Sequence, residues 1–325
     1  MIWLTWRQHR REALFALAGL AVIGTLMVVT GLAMRTAFND YGLPECVARA
    51  GDAGAGSNCN RAFNQFYDQF SAVSLAGILF LVLPLLVGLF WGAPLVAREV
   101  EQGTHRFVWT QGVSRRRWAL VKFGLVGAAA LVASVGYGLG VSWWVSPLNQ
   151  GWRQNRFDAF FFDMQGVAPV GYTLFAVALG IFAGTVWPRM LPAMAATLVG
   201  FVGVRVALAT LARPRYLPAR ELTYPVQGTG EPDPTGGDWI LSSGVHDASG
   251  RMVAPNAQVI CPPGASGPDG RACGAELGLG PGAYNWQLYQ PGSRYWLFQT
   301  IETGIFVALA VLLLVLAIRR IRRIA

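Results

Sequence analysis

The chain has 325 residues, 54% of them hydrophobic and 13% charged, with a mean hydropathy of +0.41. An ordinary soluble domain carries about 25% charged residues, so this composition excludes a disordered chain and argues against a soluble enzyme. The formal charge of +9 does not point to nucleic acid, because the basic residues stand at the ends of apolar runs rather than on a polar domain.

Residues 1–12, MIWLTWRQHRRE, set Trp3 and Trp6 beside Arg7, Arg10 and Arg11, the composition of a short interfacial elbow helix or of a basic tail that fixes topology. A first span is expected at 13–34. Its apolar part exceeds the 7 to 15 residues or so of a signal-peptide core, so it reads as a mature helix. A second span at 71–97 contains Pro84 and Pro94, which free backbone carbonyls and bend a helix. The charged segment 98–118 follows, then a third span at 119–145 and a polar stretch, Asn149 to Gln165. The fourth and fifth spans, 168–187 and 190–212, are separated only by Trp187-Pro188-Arg189 and read as a tight hairpin. Gly136 with Gly140, and Gly180 with Gly184, recur at the spacing that lets membrane helices approach closely. Residues 213–293 turn rich in Pro and Gly. Turn signals at Asp247-Ala248-Ser249-Gly250 and Pro268-Asp269-Gly270 and alternating stretches at Trp239 to Val245 and Met252 to Ile260 predict a small β-rich cap. A sixth span at 296–318 and a basic tail complete residues 294–325. The expected fold class is an all-α polytopic membrane protein with six transmembrane helices, each near or above the ~20 residues that cross a bilayer.

With both termini cytoplasmic, the inner segments hold the arginines of the amino-terminal stretch, Arg98, Arg106, Arg115, Arg116, Arg117, Lys122, Arg189, Arg319, Arg320, Arg322 and Arg323. The longer outer segments then carry more acids than bases, as the positive-inside rule requires. All four cysteines, Cys46, Cys59, Cys261 and Cys273, fall outside in this orientation, where disulfides persist. Three pairings exist, and the local ones, Cys46 with Cys59 and Cys261 with Cys273, are expected; free buried thiols are the alternative. Lys122 is the only lysine, and this preference for Arg, with abundant Ala, Gly and Val, reads as the codon bias of a high-GC, actinobacterial genome.

Catalytic constellations are missing from the sequence. His9, His105 and His246 form no pair at metal-ligand spacing, no GxSxG marks a nucleophile, and nothing matches G-x-x-x-x-G-K-[ST]. The chain is therefore not expected to be an enzyme by itself or to hold a cofactor. The informative segment is Ala97-Arg98-Glu99-Val100-Glu101-Gln102-Gly103-Thr104, followed by Gly112-Val113-Ser114-Arg115-Arg116-Arg117. This stretch resembles the loop between the second and third helices of permease subunits of type 2 ATP-binding-cassette (ABC) exporters. There an E-x-E-x-G-T stretch precedes a short Ser-Arg segment. The resemblance covers roughly residues 1–212 and 296–318 and leaves out the cap. It implies that Glu99, Glu101, Gln102, Gly103 and Thr104 lie in or beside a coupling helix that docks on a nucleotide-binding ATPase subunit. It also implies a homodimer with two such ATPases, which would hold the ATP and Mg. The plain alternative is that the two glutamates solvate a loop and offset nearby arginines.

Two further features complete the reading. Arg205 and Glu302 lie at matching depths, roughly 10 Å below the outer ends of their spans, and are expected to pair as a gate latch or a static brace. Trp143, Trp144, Trp152, Phe160, Phe161, Phe162, Tyr295 and Trp296 crowd the outer side, mostly as an interfacial belt. The function expected from the resemblance is export of a hydrophobic or amphipathic drug, peptide or lipid across the bacterial cell membrane by alternating access. The alternative is a non-transporting sensor or assembly factor whose extracellular cap binds a ligand.

Overall fold

The computed structural model describes residues 2–48, 56–103, 114–150, 156–226, 237–261 and 273–321. The chain divides into two compact units, residues 1–75 with 140–151, and residues 76–139 with 152–325. Six helical stretches are long and apolar enough to cross a membrane: Ala21–Asp40, Gly77–Glu101, Arg115–Val145, Ala168–Val186, Met190–Arg215 and Gly292–Ile321.

In the first unit, α1 (Ile2–Asp40) runs without a break through the residues expected to form a separate elbow. No Gly or Pro precedes Gly19 in that stretch, so nothing in it stops a helix. Two short helices follow, α2 (Leu43–Ala48) and α3 (Gly56–Gln69), joined by the Cys46–Cys59 disulfide. Phe38, Phe63, Phe66 and Phe70 form their buried aromatic seam. Of Trp143 and Trp144, both expected in an interfacial belt, Trp143 stays exposed and Trp144 packs inward. Trp144 is buried and donates to Thr30 Oγ1 at 2.8 Å, while Arg35 stacks on Trp143 at 4.1 Å and donates to Ser146 Oγ.

The second unit is built around one helix. The second span breaks into α4 (Ser71–Val87), a π turn at Gly88–Gly92, and α5 (Ala93–Glu101). After α6 (Arg115–Val145) and the short α7 (Ala159–Met164) come α8 (Ala168–Val186) and α9 (Met190–Ala207), which continues through a second π turn, Leu208–Ala212. The last span is α10 (Tyr295–Ile321). In α8, 72% of the apolar window is buried, against 11% in α9, so α8 is the centre on which α5, α9 and α10 pack. The approach is closest at glycines: a Cβ on Gly180 would lie 2.6 Å from Gly88 O, and one on Gly184 would lie 2.9 Å from Ala93 O. The Gly180/Gly184 expectation therefore describes a backbone-to-backbone contact, whereas Gly136 faces open space and Gly140 has only an ordinary contact.

The expected cap contains a four-stranded antiparallel sheet of order β1-β4-β2-β3, from β1 (Arg220–Pro225), β2 (Trp239–His246), β3 (Met252–Pro255) and β4 (Tyr284–Gln290). Residues 256–260, read as part of the second strand, lie outside it; the strand ends at Pro255, and Asn256 takes a positive φ of 54°. The Asp247 carboxylate closes the β2–β3 turn by accepting from Ser249 Oγ and from the amides of Ser249 and Arg251. The Ser249 hydroxyl leads in holding that carboxyl below its usual range. Val226, Val245, Cys261, Leu279 and Ala283 form the small core, and the Cys261–Cys273 disulfide closes its side.

Candidate functional site

Four charged side chains meet where α7, α8, α9 and α10 converge at the cap end of the spans. Arg213 grips Glu302 bidentately, Nε to Oε2 at 2.7 Å and Nη2 to Oε1 at 2.6 Å, and its Nη2 also reaches Asp163 Oδ1 at 2.5 Å. Arg205 Nη2 lies 3.0 Å from Asp163 Oδ2. The side chains are 1–11% exposed. Two guanidinium and two carboxylate groups cancel, so the cluster carries no formal net charge into a low-dielectric site. Tyr172 stands between the carboxylates, its hydroxyl 2.9 Å from Asp163 Oδ1 and 2.5 Å from Glu302 Oε1. Aromatic faces cover both cations, Phe162 under Arg213 at 4.1 Å and Tyr172 under Arg205 at 4.3 Å. Tyr216 Oη adds a longer contact to Glu302 at 3.4 Å; burial, then the Glu302 charge, raise its pKa and keep it a donor.

The expected Arg205–Glu302 bridge is corrected here: both residues belong to one buried site, but each takes another partner. Asp163 falls in the polar stretch Asn149 to Gln165, yet Asp158 caps α7 by accepting from Phe160 N at 2.9 Å, and that short helix carries Asp163 inward. Arg213 stands just past the expected fifth span, 190–212. In an unbroken α-helix it would sit about 80° round the axis from Arg205, eight steps of 100°. The intervening π turn is wider, advances less per residue and rotates Arg213 back toward Arg205. Two arginines eight residues apart at a span's end were the available signal. Phe161 and Phe162, expected in the aromatic belt, are buried beside this site, whereas Trp296 is exposed.

Gln299 supports the site from α10. Its Oε1 accepts from Val167 N at 3.1 Å and Ala168 N at 2.7 Å, satisfying the start of α8, and its Nε2 donates to Phe162 O at 2.8 Å. Gly166, at φ +73°, turns the chain there, and a Cβ on it would meet Gln299 Oε1 at 2.9 Å.

At the opposite ends of these helices, Glu99 and Glu101 lie on α5, the continuation of the second span, rather than on a separate helix. Glu99 pairs with Lys122 of α6. Glu101 Oε2 accepts from Met190 N at 3.1 Å, so it caps the start of α9, where a carboxylate also meets the positive end of the helix dipole. Gln102 and Gly103 stop α5 with amide bonds to Arg98 O and Val100 O, Gly103 at φ +69°. Thr104 and the rest of the segment to residue 113 lie outside the described residues. Among the described residues, no group of His, Cys, Asp or Glu is arranged to hold a metal.

Six apolar helices with a neutralised ionic cluster at one end define a multi-pass membrane protein. The sequence profile of the ABC-2 membrane transporter related family matches residues 17–213, and the chain belongs to that family. The match takes in the glutamate-bearing segment, Asp163, Arg205 and Arg213. The family is one of permease components of ABC transporters, which are not themselves catalytic and normally work with an ATPase partner. No curated protein and no solved structure matches the chain.

Proposed function

We propose that the chain is the membrane-spanning subunit of an ATP-driven exporter of the bacterial cell membrane, with both termini cytoplasmic, moving a hydrophobic or amphipathic substrate outward by alternating access. Two copies would assemble with two copies of a separate nucleotide-binding ATPase, which would hold the ATP and Mg. The single observation that carries this reading is the family match over residues 17–213, which spans five of the six helices. The tie between Glu101 and the start of α9 supports a lever role for the segment near Glu99, Glu101, Gln102, Gly103 and Thr104: a push there reaches the second, third and fifth spans together.

Purification of the tagged chain from its native host in mild detergent tests this. A stoichiometric P-loop ATPase should accompany the wild type and Glu101→Gln, which keeps an acceptor for Met190, and should be lost with Glu101→Arg. A chain that repeatedly purifies alone would overturn the exporter reading in favour of a ligand-binding sensor.

A further inference from the structure

A crevice of about 110 Å³ opens between α6, α8 and α10, with Phe123 and Gly127 on one wall, Ile181 behind, and Val307, Val311 and Leu314 on the other wall. Its volume is several times the ~10–15 Å³ that one water needs, yet no described lining side chain is polar, so water there would lack hydrogen-bond partners. Gly127 provides part of the space, since a Cβ on it would meet nothing within 4 Å, and Val311 stands exposed at the rim. The helices that wall the crevice end on cations. α6 opens on Arg115, Arg116 and Arg117 with no acid in its first turn, and α10 closes on Arg319 and Arg320. Ala119 and Phe123 share one buried cluster with Ala317 and Ile321, which brings these two ends together. Arg116, Arg117, Arg319 and Arg320 are exposed, and Arg320 Nε is aimed by Thr185 O at the end of α8, 3.1 Å away. Trp118 and Trp187 stand at the same ends, and tryptophan settles at the level of lipid headgroups. Along their helices, Phe123 and Gly127 lie about 9 and 15 Å from Arg117, and Leu314 and Val307 about 8 and 18 Å from Arg319. That interval matches one leaflet of hydrocarbon, about half of ~30 Å.

We propose that the crevice and the arginines below it form a site for one anionic phospholipid, drawn from the leaflet on the basic side. One acyl chain fills the groove between α6, α8 and α10, and the phosphate meets the guanidinium groups of Arg116 and Arg117 on one helix and Arg319 and Arg320 on the other. Guanidinium pairs with phosphate through parallel charge-assisted hydrogen bonds, and the phosphate also offsets three cations crowded at the positive end of the α6 dipole. Hydrocarbon is the occupant that the dry walls accept, and negative charge is what the rim demands. The site stands independently of what the chain transports.

Native mass spectrometry of the full chain in mild detergent tests this with two probes of identical acyl chains, phosphatidylglycerol and phosphatidylcholine. The wild type should retain one phosphatidylglycerol per chain and prefer it by about tenfold or more. Arg116→Gln combined with Arg319→Gln should bring that preference close to parity while lipid is still held. Gly127→Leu fills the crevice and should cut retention of both lipids severalfold, whereas Gly136→Leu, which adds the same side chain at another open position of α6, should not. Val311→Trp, at the exposed rim, makes the same block without touching the packed wall and keeps the test open if Gly127→Leu does not fold. Equal retention of the two lipids by the wild type, or equal behaviour of the blocked variants and Gly136→Leu, overturns the site and leaves only ordinary surrounding lipid. Unchanged lipid retention in the arginine variant together with loss of a co-purifying protein also overturns it, and assigns these arginines to an acidic protein surface. A chain that purifies without an ATPase would leave the lipid counts as they are, which separates this site from the transporter reading.

Discussion

The cation Arg213 is almost wholly enclosed and makes charge-assisted bonds to two carboxylates, so its removal leaves Glu302 and Asp163 facing each other across Tyr172 with one guanidinium fewer. Breaking a buried pair from one side costs about 3–5 kcal/mol. Arg213→Met should therefore lower the thermal unfolding temperature in detergent sharply. Combining it with Glu302→Gln should recover part of the loss, a non-additivity that a double-mutant cycle measures. Gln299→Leu strips the acceptor from two amides at the start of α8, at about 1–3 kcal/mol for a buried group left unsatisfied, with hydrogen exchange at Val167 and Ala168 as the local readout. Arg205 and Glu302 were legible in the sequence because a charge inside an apolar run stands out. Asp163 and Arg213 were not, because each sits in a stretch whose composition is that of a loop, and only a six-residue helix and a π turn bring them inward.

Among elements, α8 carries the tightest constraint. Gly180 and Gly184 touch the backbone of the second span, so Gly184→Leu must separate two helices, while Gly136→Ala, facing open space, should be silent. Retention of a monodisperse peak after purification is the check; equal behaviour of the two variants would refute the packing argument. The two disulfides close loops of 13 and 12 residues, each worth about 3 kcal/mol by loop entropy. Cys261→Ser with Cys273→Ser should make the cap protease-sensitive, since the bridge borders a core of five small or medium side chains. The six spans follow from apolar length alone, whereas β2 departs from the expected alternation: Gly244 and Val245 are buried side by side, and its register shifts between Ile240 and Ser242. The strand β4 hides its own: the buried positions are Asn285, Gln287 and Gln290, polar residues matched to specific partners. Asn285 exchanges two hydrogen bonds with the Val259 backbone, and Gln287 donates to Tyr224 Oη, so burial there follows hydrogen bonding rather than hydropathy. The break in the second span was legible as two prolines, but the π turn between them was not, since its glycines give no sign of register.

At the scale of the whole molecule, the central cluster is assembled from residues 163, 205, 213 and 302, with the cap lying between the third and the last of them in the chain. During synthesis the fourth and fifth helices are therefore complete, and both arginines are present with Asp163, before the second carboxylate exists. One positive charge is left over until the final helix arrives. Chains ending before residue 295 should be cleared rapidly in a pulse-chase experiment, and Glu302→Gln should shorten the lifetime of the full-length chain in the same direction. The last helix is thus the element on which the neutrality of the buried site waits, because it alone brings the second carboxylate.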